Sequence, residues 1–239
     1  AWFKLNTLHL HINEDSGLGG EYSSSFVVES KKYPEINSTL KEGEVYTQEQ
    51  YRQYQLNARK VGIDVIAEID TPAHCGFVNL LSEEHQAQFS DIMLDESHID
   101  LGNEKAIEFI KSLYDEFLDG EDPVFISDNF HIGADEYRRD DPGETTNGTN
   151  YRKYVNAMID HINEKGLQPR MWASLGGGGM GGDILVDDRV ISNYWAYSWA
   201  DFPQMLKDGY RCINTSTDLY IVPGTSTGYV DFLDLAERY

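Results

Sequence analysis

The chain has 239 residues, of which 40% are hydrophobic, so one α/β domain with a sizeable core is expected. Its 41 acidic and 19 basic residues give a formal net charge of −22. This charge should repel nucleic acids and anionic membrane surfaces, so neither is an expected partner. The sequence contains no run of 18 apolar residues and no basic leader with a cleavage site, so neither membrane insertion nor a signal peptide is predicted.

Helix-like and strand-like segments alternate along the chain. A capping box formed by Thr47 and Gln50 predicts a helix that ends at Gly62. A second helix is predicted after Asn103, a third ends at Gly166, and a short one covers 202–207. The strand-like runs are 5–12, 64–70, 130–135, 168–173, 190–195 and 211–215. This rhythm is typical of a parallel sheet, either doubly wound or closed as a (β/α)8 barrel.

Notable side chains stand at the carboxyl ends of four predicted strands. They are Asp70, Asp135 with Glu136, Trp172 and Trp195. Barrel enzymes assemble their active sites at this edge, so the barrel is the favoured fold class. Because only six strands are predicted, we expect an incomplete (β/α)8 TIM barrel spanning 1–239 that lacks one strand at each end, as an excerpt of a longer protein would.

The adjacent carboxylates of Asp135 and Glu136 are the strongest local signal for chemistry. If both enter one cavity, repulsion and desolvation raise the pKa of one of them, which gives a proton donor near neutral pH. A solvated acidic loop is the structural alternative. Trp172 and Trp195 offer flat apolar walls for sugar rings, although large aromatics also pack in cores. In register with the acid pair, they favour a carbohydrate pocket.

Other motifs favour structural roles. His9 and His11 alternate along one strand and face the same way, but the spacing alone is weak evidence for a metal, and no metal or other cofactor is predicted. The glycine cluster at 176–182 is interpreted as a loop beside the pocket, because no nucleotide-binding helix follows it. Cys75 and Cys212 are expected to be small hydrophobic residues and not a disulfide framework.

Three ordered segments resemble glycoside hydrolase family 20, the β-N-acetylhexosaminidases and their relatives. They are LNTLHLHINED (5–15), YTQEQYRQYQLNARKVGIDVIAEIDTPAH (46–74) and FHIGADEY (130–137). The last is similar to the family's H-x-G-G-D-E signature. The segment EYSSSFVVES (21–30) further resembles the branch that contains lacto-N-biosidases.

The resemblance implies a retaining, substrate-assisted glycosidase that removes terminal β-linked N-acetylhexosamine through an oxazolinium intermediate. Glu136 would be the general acid and then the base, and Asp135 would orient the substrate's acetamido group. Tyr220 would hold the acetamido oxygen, and Trp172 and Trp195 would enclose the acetamido methyl.

Further residues match the family pattern around the acid, and some depart from it. Asp70 and His74 match a D-x-P-G-H element, in which a histidine contact would tune Glu136. Glu14 replaces an aspartate, which puts its own contact with Glu136 in doubt. Ala134 replaces the second signature glycine, a change that ordinary backbone dihedrals would tolerate.

Two other functions stay open at this point. A lacto-N-biosidase would release a disaccharide, and Val222, in place of a sugar-binding aspartate, fits altered recognition of the non-reducing side. A non-catalytic carbohydrate-binding barrel is the alternative outside the enzymes. The resemblance further implies a glycan partner, additional domains in the same chain, and a secreted or cell-surface location.

Overall fold

The computed structural model describes residues 4–16, 23–89, 92–137, 145–175 and 184–216. Within these ranges the strands are β1 (Thr7–His11), β2 (Asn13–Ser16), β3 (Ser23–Phe26), β4 (Asp64–Thr71), β5 (Asn129–Gly133), β6 (Gln168–Trp172), β7 (Ile191–Tyr194) and β8 (Arg211–Asn214). The α-helices are α1 (Gln48–Lys60), α2 (Glu83–Gln88), α3 (Glu104–Leu118), α4 (Thr145–Glu164) and α5 (Phe202–Lys207). Short 3-10 helices cover Pro34–Asn37 and Gly76–Leu80.

Six parallel strands form one curled sheet, a half-barrel, in the order β1-β4-β5-β6-β7-β8. These six correspond to the six predicted runs, so the incomplete barrel is confirmed for the described residues. The structure adds an antiparallel pair, β2 with β3, in which Glu14 lies opposite Ser25. The sequence analysis missed this pair, because strands of four mostly polar residues carry little hydrophobic alternation.

The helices begin where the capping patterns predict. The Thr47 hydroxyl accepts a hydrogen bond from Gln50 N at 3.1 Å, and the Gln50 side chain accepts one from Thr47 N at 2.9 Å. The Asn103 side chain caps α3 by accepting from Lys105 N. None of the helices in the described ranges is both long and apolar enough to cross a bilayer.

Aromatic side chains fill the layer between the sheet and the helices. Tyr114 and Phe117 on α3 are fully buried, as are Tyr151 and Tyr154 on α4. The Tyr114 hydroxyl lies 2.6 Å from the Thr71 hydroxyl, which ties α3 to the carboxyl end of β4. The aromatic core therefore packs against the carboxyl end of β4, where the predicted site begins.

The end of β5 and the turn that follows it have left-handed backbone at three of the four positions 133–136. Gly133 has φ +73, Ala134 φ +72 and Glu136 φ +47. Ala134 therefore does not have the ordinary dihedrals under which the replacement of glycine would be free of strain, because a Cβ in this region meets the following carbonyl. At Gly133 an added Cβ would lie 1.8 Å from Asp70 Oδ1, so only glycine lets Asp70 approach this turn.

These two neighbours should respond oppositely to substitution. We expect Gly133→Ala to lower the free energy of unfolding by about 2–4 kcal/mol, from overpacking against Asp70 together with backbone strain. Ala134→Gly should raise it by roughly 0.5–1 kcal/mol, because relief of strain exceeds the extra chain entropy of glycine. Urea unfolding of both variants and the wild type measures the effects, and a destabilising Ala134→Gly would contradict the strain argument.

Candidate active site

Two carboxyl groups meet where β4 and β5 end. Asp70 lies on β4 and is 3% exposed, and Asp135 follows β5 by two residues. Burial, followed by the charges of Asp135 and Glu68, raises the pKa of Asp70 well above its usual range. The raised pKa favours the protonated form of Asp70, and its hydrogen bond to Asp135 favours the ionised form of Asp135.

Asp135 is held between opposing influences. Burial raises the pKa of Asp135, whereas the positive charge of His74 and the hydrogen bond from Asp70 oppose that rise. Asp135 Oδ1 is buried and has no hydrogen-bond partner among the described residues. Asp135 therefore has a hydrogen bond with Asp70, while its Oδ1 is available to a further donor.

His74 contacts two further carboxyl groups, those of Glu136 and Glu14. Its Nε2 lies 3.5 Å from Glu136 Oε2, and its Nδ1 lies 3.6 Å from Glu14 Oε1. Burial disfavours a charged His74, but the hydrogen bond to Glu136 and the surrounding carboxylates outweigh it and raise its pKa to about 9. The longer Glu14 side chain thus reaches His74, and His74 in turn contacts Glu136.

Asn13 fixes the loop that carries these groups. Its side-chain amide donates to Asp70 O and His74 O, both at 3.0 Å, and its carbonyl accepts from Asp70 N at 2.7 Å. Asp15 Oδ2 accepts from Gly76 N at 2.9 Å, just beyond the same loop. The sequence analysis assigned no role to Asn13, although its place directly after the predicted strand 5–12 was a signal.

A second group of side chains lies deeper on the same face of the sheet, around Glu68. Its Oε2 is 2.5 Å from His9 Nε2, 3.3 Å from His11 Nε2 and 3.4 Å from His131 Nδ1. Glu68 is fully buried, and burial raises its pKa to about 8. Burial, aided by Arg170, lowers the pKa of His9 to about 4, so at neutral pH the acid is protonated and this imidazole is neutral.

The predicted tryptophans occupy neighbouring strand ends. Trp172 ends β6, and its Nε1 donates to Glu68 Oε1 at 2.8 Å. Trp195 directly follows β7, and its ring stacks on Trp199 with centroids 6.0 Å apart. Tyr220, Val222 and the glycine cluster at 176–182 lie outside the described residues.

Two groups of described residues have the composition of metal ligands, with ligand atoms within 4.8 Å of one another. They are His9, His11 and Glu68, and Asp70, His74 and Asp135. In the second group the raised pKa values of His74 and Asp70 favour their protonated forms, which compete with metal binding. The arrangement favours proton transfer, with two carboxyl groups of shifted pKa and an imidazolium side by side.

The charge on His74 should appear as a pH-dependent contribution to stability. Because its folded pKa of about 9 exceeds the unfolded value of 6.5, the contribution is complete below pH 6.5 and is lost as the pH rises through 9. We expect His74→Gln to lower the free energy of unfolding most at pH 6 and least at pH 10. Urea unfolding across this range measures it, and a pH-independent difference would show that His74 is neutral in the folded state.

Comparison with known proteins places this chain in a family. The model of the catalytic domain of glycosyl hydrolase family 20 matches residues 1–227. A lacto-N-biosidase of Bifidobacterium bifidum is 26% identical over 213 residues, covering 81% of this chain and 18% of its own. A β-hexosaminidase of Porphyromonas gingivalis is 26% identical over 255 residues, covering 97% of this chain and 30% of its own. The chain therefore spans less than a third of the length of these curated relatives.

Solved structures share the fold. A catalytic module of a pneumococcal exo-β-D-N-acetylglucosaminidase superposes with a TM-score of 0.70 at 20% identity, covering 93% of this chain and 60% of that one. Dispersin B superposes with a TM-score of 0.67 at 21% identity, covering 85% of this chain and 66% of that one. With the family match extending over nearly the whole sequence, the chain belongs to glycosyl hydrolase family 20.

Proposed function

We propose that this protein hydrolyses terminal β-linked N-acetylhexosaminides with retention of configuration, using the substrate's acetamido group as the nucleophile. The adjacent carboxyl groups of Asp135 and Glu136 carry the proposal, because each meets a different partner. Asp70 supports Asp135 from behind, whereas His74 contacts Glu136 at 3.5 Å. The environments differ as the two roles require.

In the proposed reaction Glu136 donates a proton to the glycosidic oxygen while the acetamido oxygen attacks the anomeric carbon. The leaving sugar departs with that proton, and a cyclic oxazolinium remains. Glu136 then takes a proton from the water that opens the ring. His74, whose Nε2 lies 3.5 Å from Glu136 Oε2, would stabilise the carboxylate that remains after Glu136 gives up its proton.

Asp135 would bind the acetamido N–H. Its buried Oδ1 has no partner among the described residues, so it is available to accept this hydrogen bond. As the oxazolinium forms, positive charge develops on the same nitrogen, and an ionised carboxylate stabilises it more strongly than the ground state. Trp172 and Trp195 would enclose the acetamido methyl, and Tyr220 would bind the acetamido oxygen.

A lacto-N-biosidase activity is the second candidate. The 26% identity to the Bifidobacterium bifidum enzyme over 81% of this chain favours it. The two activities differ in whether one sugar or two leave from the non-reducing end. A non-catalytic binding barrel is less favoured, because a pure binder gains nothing from a proton donor and an imidazolium beside the bond to be cleaved.

We propose further that the protein acts outside the cell and contains additional domains. A glycan substrate is consistent with action outside the cell, and the relatives' greater length is consistent with further domains. Fractionation of the native host with an antibody to this chain tests both points, since it reports the location and the apparent mass.

The acid role predicts a leaving-group effect. Glu136→Gln should lower kcat about 10²–10⁴-fold on an N-acetylglucosamine-terminated disaccharide, whose leaving group needs a proton. The loss should be smaller on the nitrophenyl glycoside, whose leaving group is already a good one. Glu104→Gln, an exposed change on α3, is the matched control. An unaltered rate for Glu136→Gln on the disaccharide would remove Glu136 from this role.

Substrate assistance and substrate length are tested with the full-length wild-type protein. Nitrophenyl N-trifluoroacetyl-glucosaminide should react far more slowly than the N-acetyl compound, because fluorine withdraws electrons from the attacking oxygen. Equal rates would rule out acetamido attack. Turnover of nitrophenyl β-lacto-N-bioside alone would select the lacto-N-biosidase, and turnover of the monosaccharide alone would select the hexosaminidase.

A further inference from the structure

Glu68 is a fully buried acid that the proposed mechanism does not use. It lies two residues before Asp70 on β4, so both side chains face the interior of the half-barrel. Asp70 supports the catalytic pair, whereas Glu68 lies deeper in the strand. Burying a carboxyl group is costly, and a hydrophobic residue of similar size would be cheaper in a core. The position therefore calls for a specific role.

The two oxygens of Glu68 have different neighbours. Oε1 accepts the Trp172 indole N–H at 2.8 Å. Oε2 faces three imidazoles, the nearest being His9 Nε2 at 2.5 Å. These imidazoles enclose Oε2, but neither it nor His9 Nε2 has a hydrogen-bond partner of good geometry among the described residues. The hydrogen bond from Trp172 is therefore the described contact that accounts for Glu68.

The same histidines also pack against the Trp172 ring. Its centroid lies 5.5 Å from that of His9, 5.1 Å from that of His131 and 6.0 Å from that of His11. The His9 ring is inclined by 29° to the indole and the His131 ring by 62°. Packing limits where the indole lies, and the hydrogen bond to Glu68 selects its rotation.

Metal binding is the competing explanation for His9, His11 and Glu68, since two histidines and a carboxylate can hold a divalent ion. Tetrahedral ligands at about 2.0–2.2 Å from an ion lie roughly 3.3 Å from one another. The 2.5 Å between His9 Nε2 and Glu68 Oε2 is too short for two ligands of one ion. The contacts therefore favour a hydrogen-bonded support over a metal site.

We propose that Glu68 is a positioning residue that holds the Trp172 indole at the angle required to enclose the substrate's acetamido group. The proposal rests on the function proposed above, in which Trp172 is a wall of the sugar pocket. Glu68 does not touch the substrate, and its effect is transmitted through the indole N–H.

The test compares Glu68→Leu, which removes the acceptor, with Glu68→Gln, whose amide oxygen can still accept the indole N–H. In the full-length protein, Glu68→Leu should weaken N-acetylglucosamine binding at least 10-fold and lower kcat/KM for the nitrophenyl glycoside about 10–100-fold. Glu68→Gln should stay within about threefold of the wild type. Unchanged binding and kcat/KM in folded Glu68→Leu would overturn the proposal.

A double-mutant cycle tests whether the effect passes through Trp172. Glu68→Leu should add less than about twofold to the loss caused by Trp172→Phe, because phenylalanine has no N–H to position. Fully additive losses would overturn the proposed route. Glu116→Leu is the matched control, since this half-buried carboxylate accepts hydrogen bonds from Ser30, Lys31, Lys32 and Gln48, none of which is a residue of the candidate active site, and its loss should not alter sugar binding.

Two measurements remain decisive if Glu68→Leu does not fold. The indole N–H proton resonance of Trp172, assigned with Trp172→Phe, should move between the wild type and Glu68→Gln, because the acceptor changes from a carboxyl to an amide oxygen, and an identical resonance in the two proteins would overturn the contact. A stoichiometric metal in the purified wild type that Glu68→Gln loses would overturn it in favour of a metal site. Wild-type protein that neither binds nor cleaves N-acetylglucosaminides would instead refute the proposed function.

Discussion

The contact between Asp70 and Asp135 is the constraint on which the site depends. Burial raises the pKa of both carboxyl groups, and the charge of Asp135 raises that of Asp70 further, so the pair favours a shared proton over two negative charges. Gly133 leaves the room in which Asp70 approaches the turn. The missing Cβ at residue 133 therefore permits the contact that couples the two acids.

Backbone strain accompanies this arrangement. His74, Ala134 and Glu136 all have positive φ, and all three lie in or beside the carboxylate cluster. Non-glycine residues in this conformation cost roughly 1–2 kcal/mol each and persist where surrounding contacts fix them. Here those contacts are identifiable. Asn13 binds the carbonyl of His74, and the Tyr151 hydroxyl donates to the carbonyl of Ala134 at 2.5 Å.

Much of this architecture follows from the sequence. The alternation of strands and capped helices predicts the parallel half-barrel, and the acids and tryptophans at strand ends predict which edge carries the site. Local patterns do not predict the roles of Glu68 and Asn13, because each depends on a partner at least 57 residues away. The positive φ of Ala134 is likewise not readable from the local sequence, since the Tyr151 hydroxyl that binds the Ala134 carbonyl lies 17 residues away. The role of Tyr220 stays a prediction.

The side chains of Glu68 and Asp70 lie on one face of strand β4. Glu68 contacts Trp172, and Asp70 contacts Asp135. Its pairing with β1 sets His11 beside Glu68, and its pairing with β5 sets Glu68 beside His131. Side chains alternate along a strand, so a slip of one residue would turn both acids toward the helices together. The register of β4 therefore sets the orientation of both acids at once. A chain in which β4 pairs one residue out of place would lose the Glu68–Trp172 contact and the Asp70–Asp135 contact together.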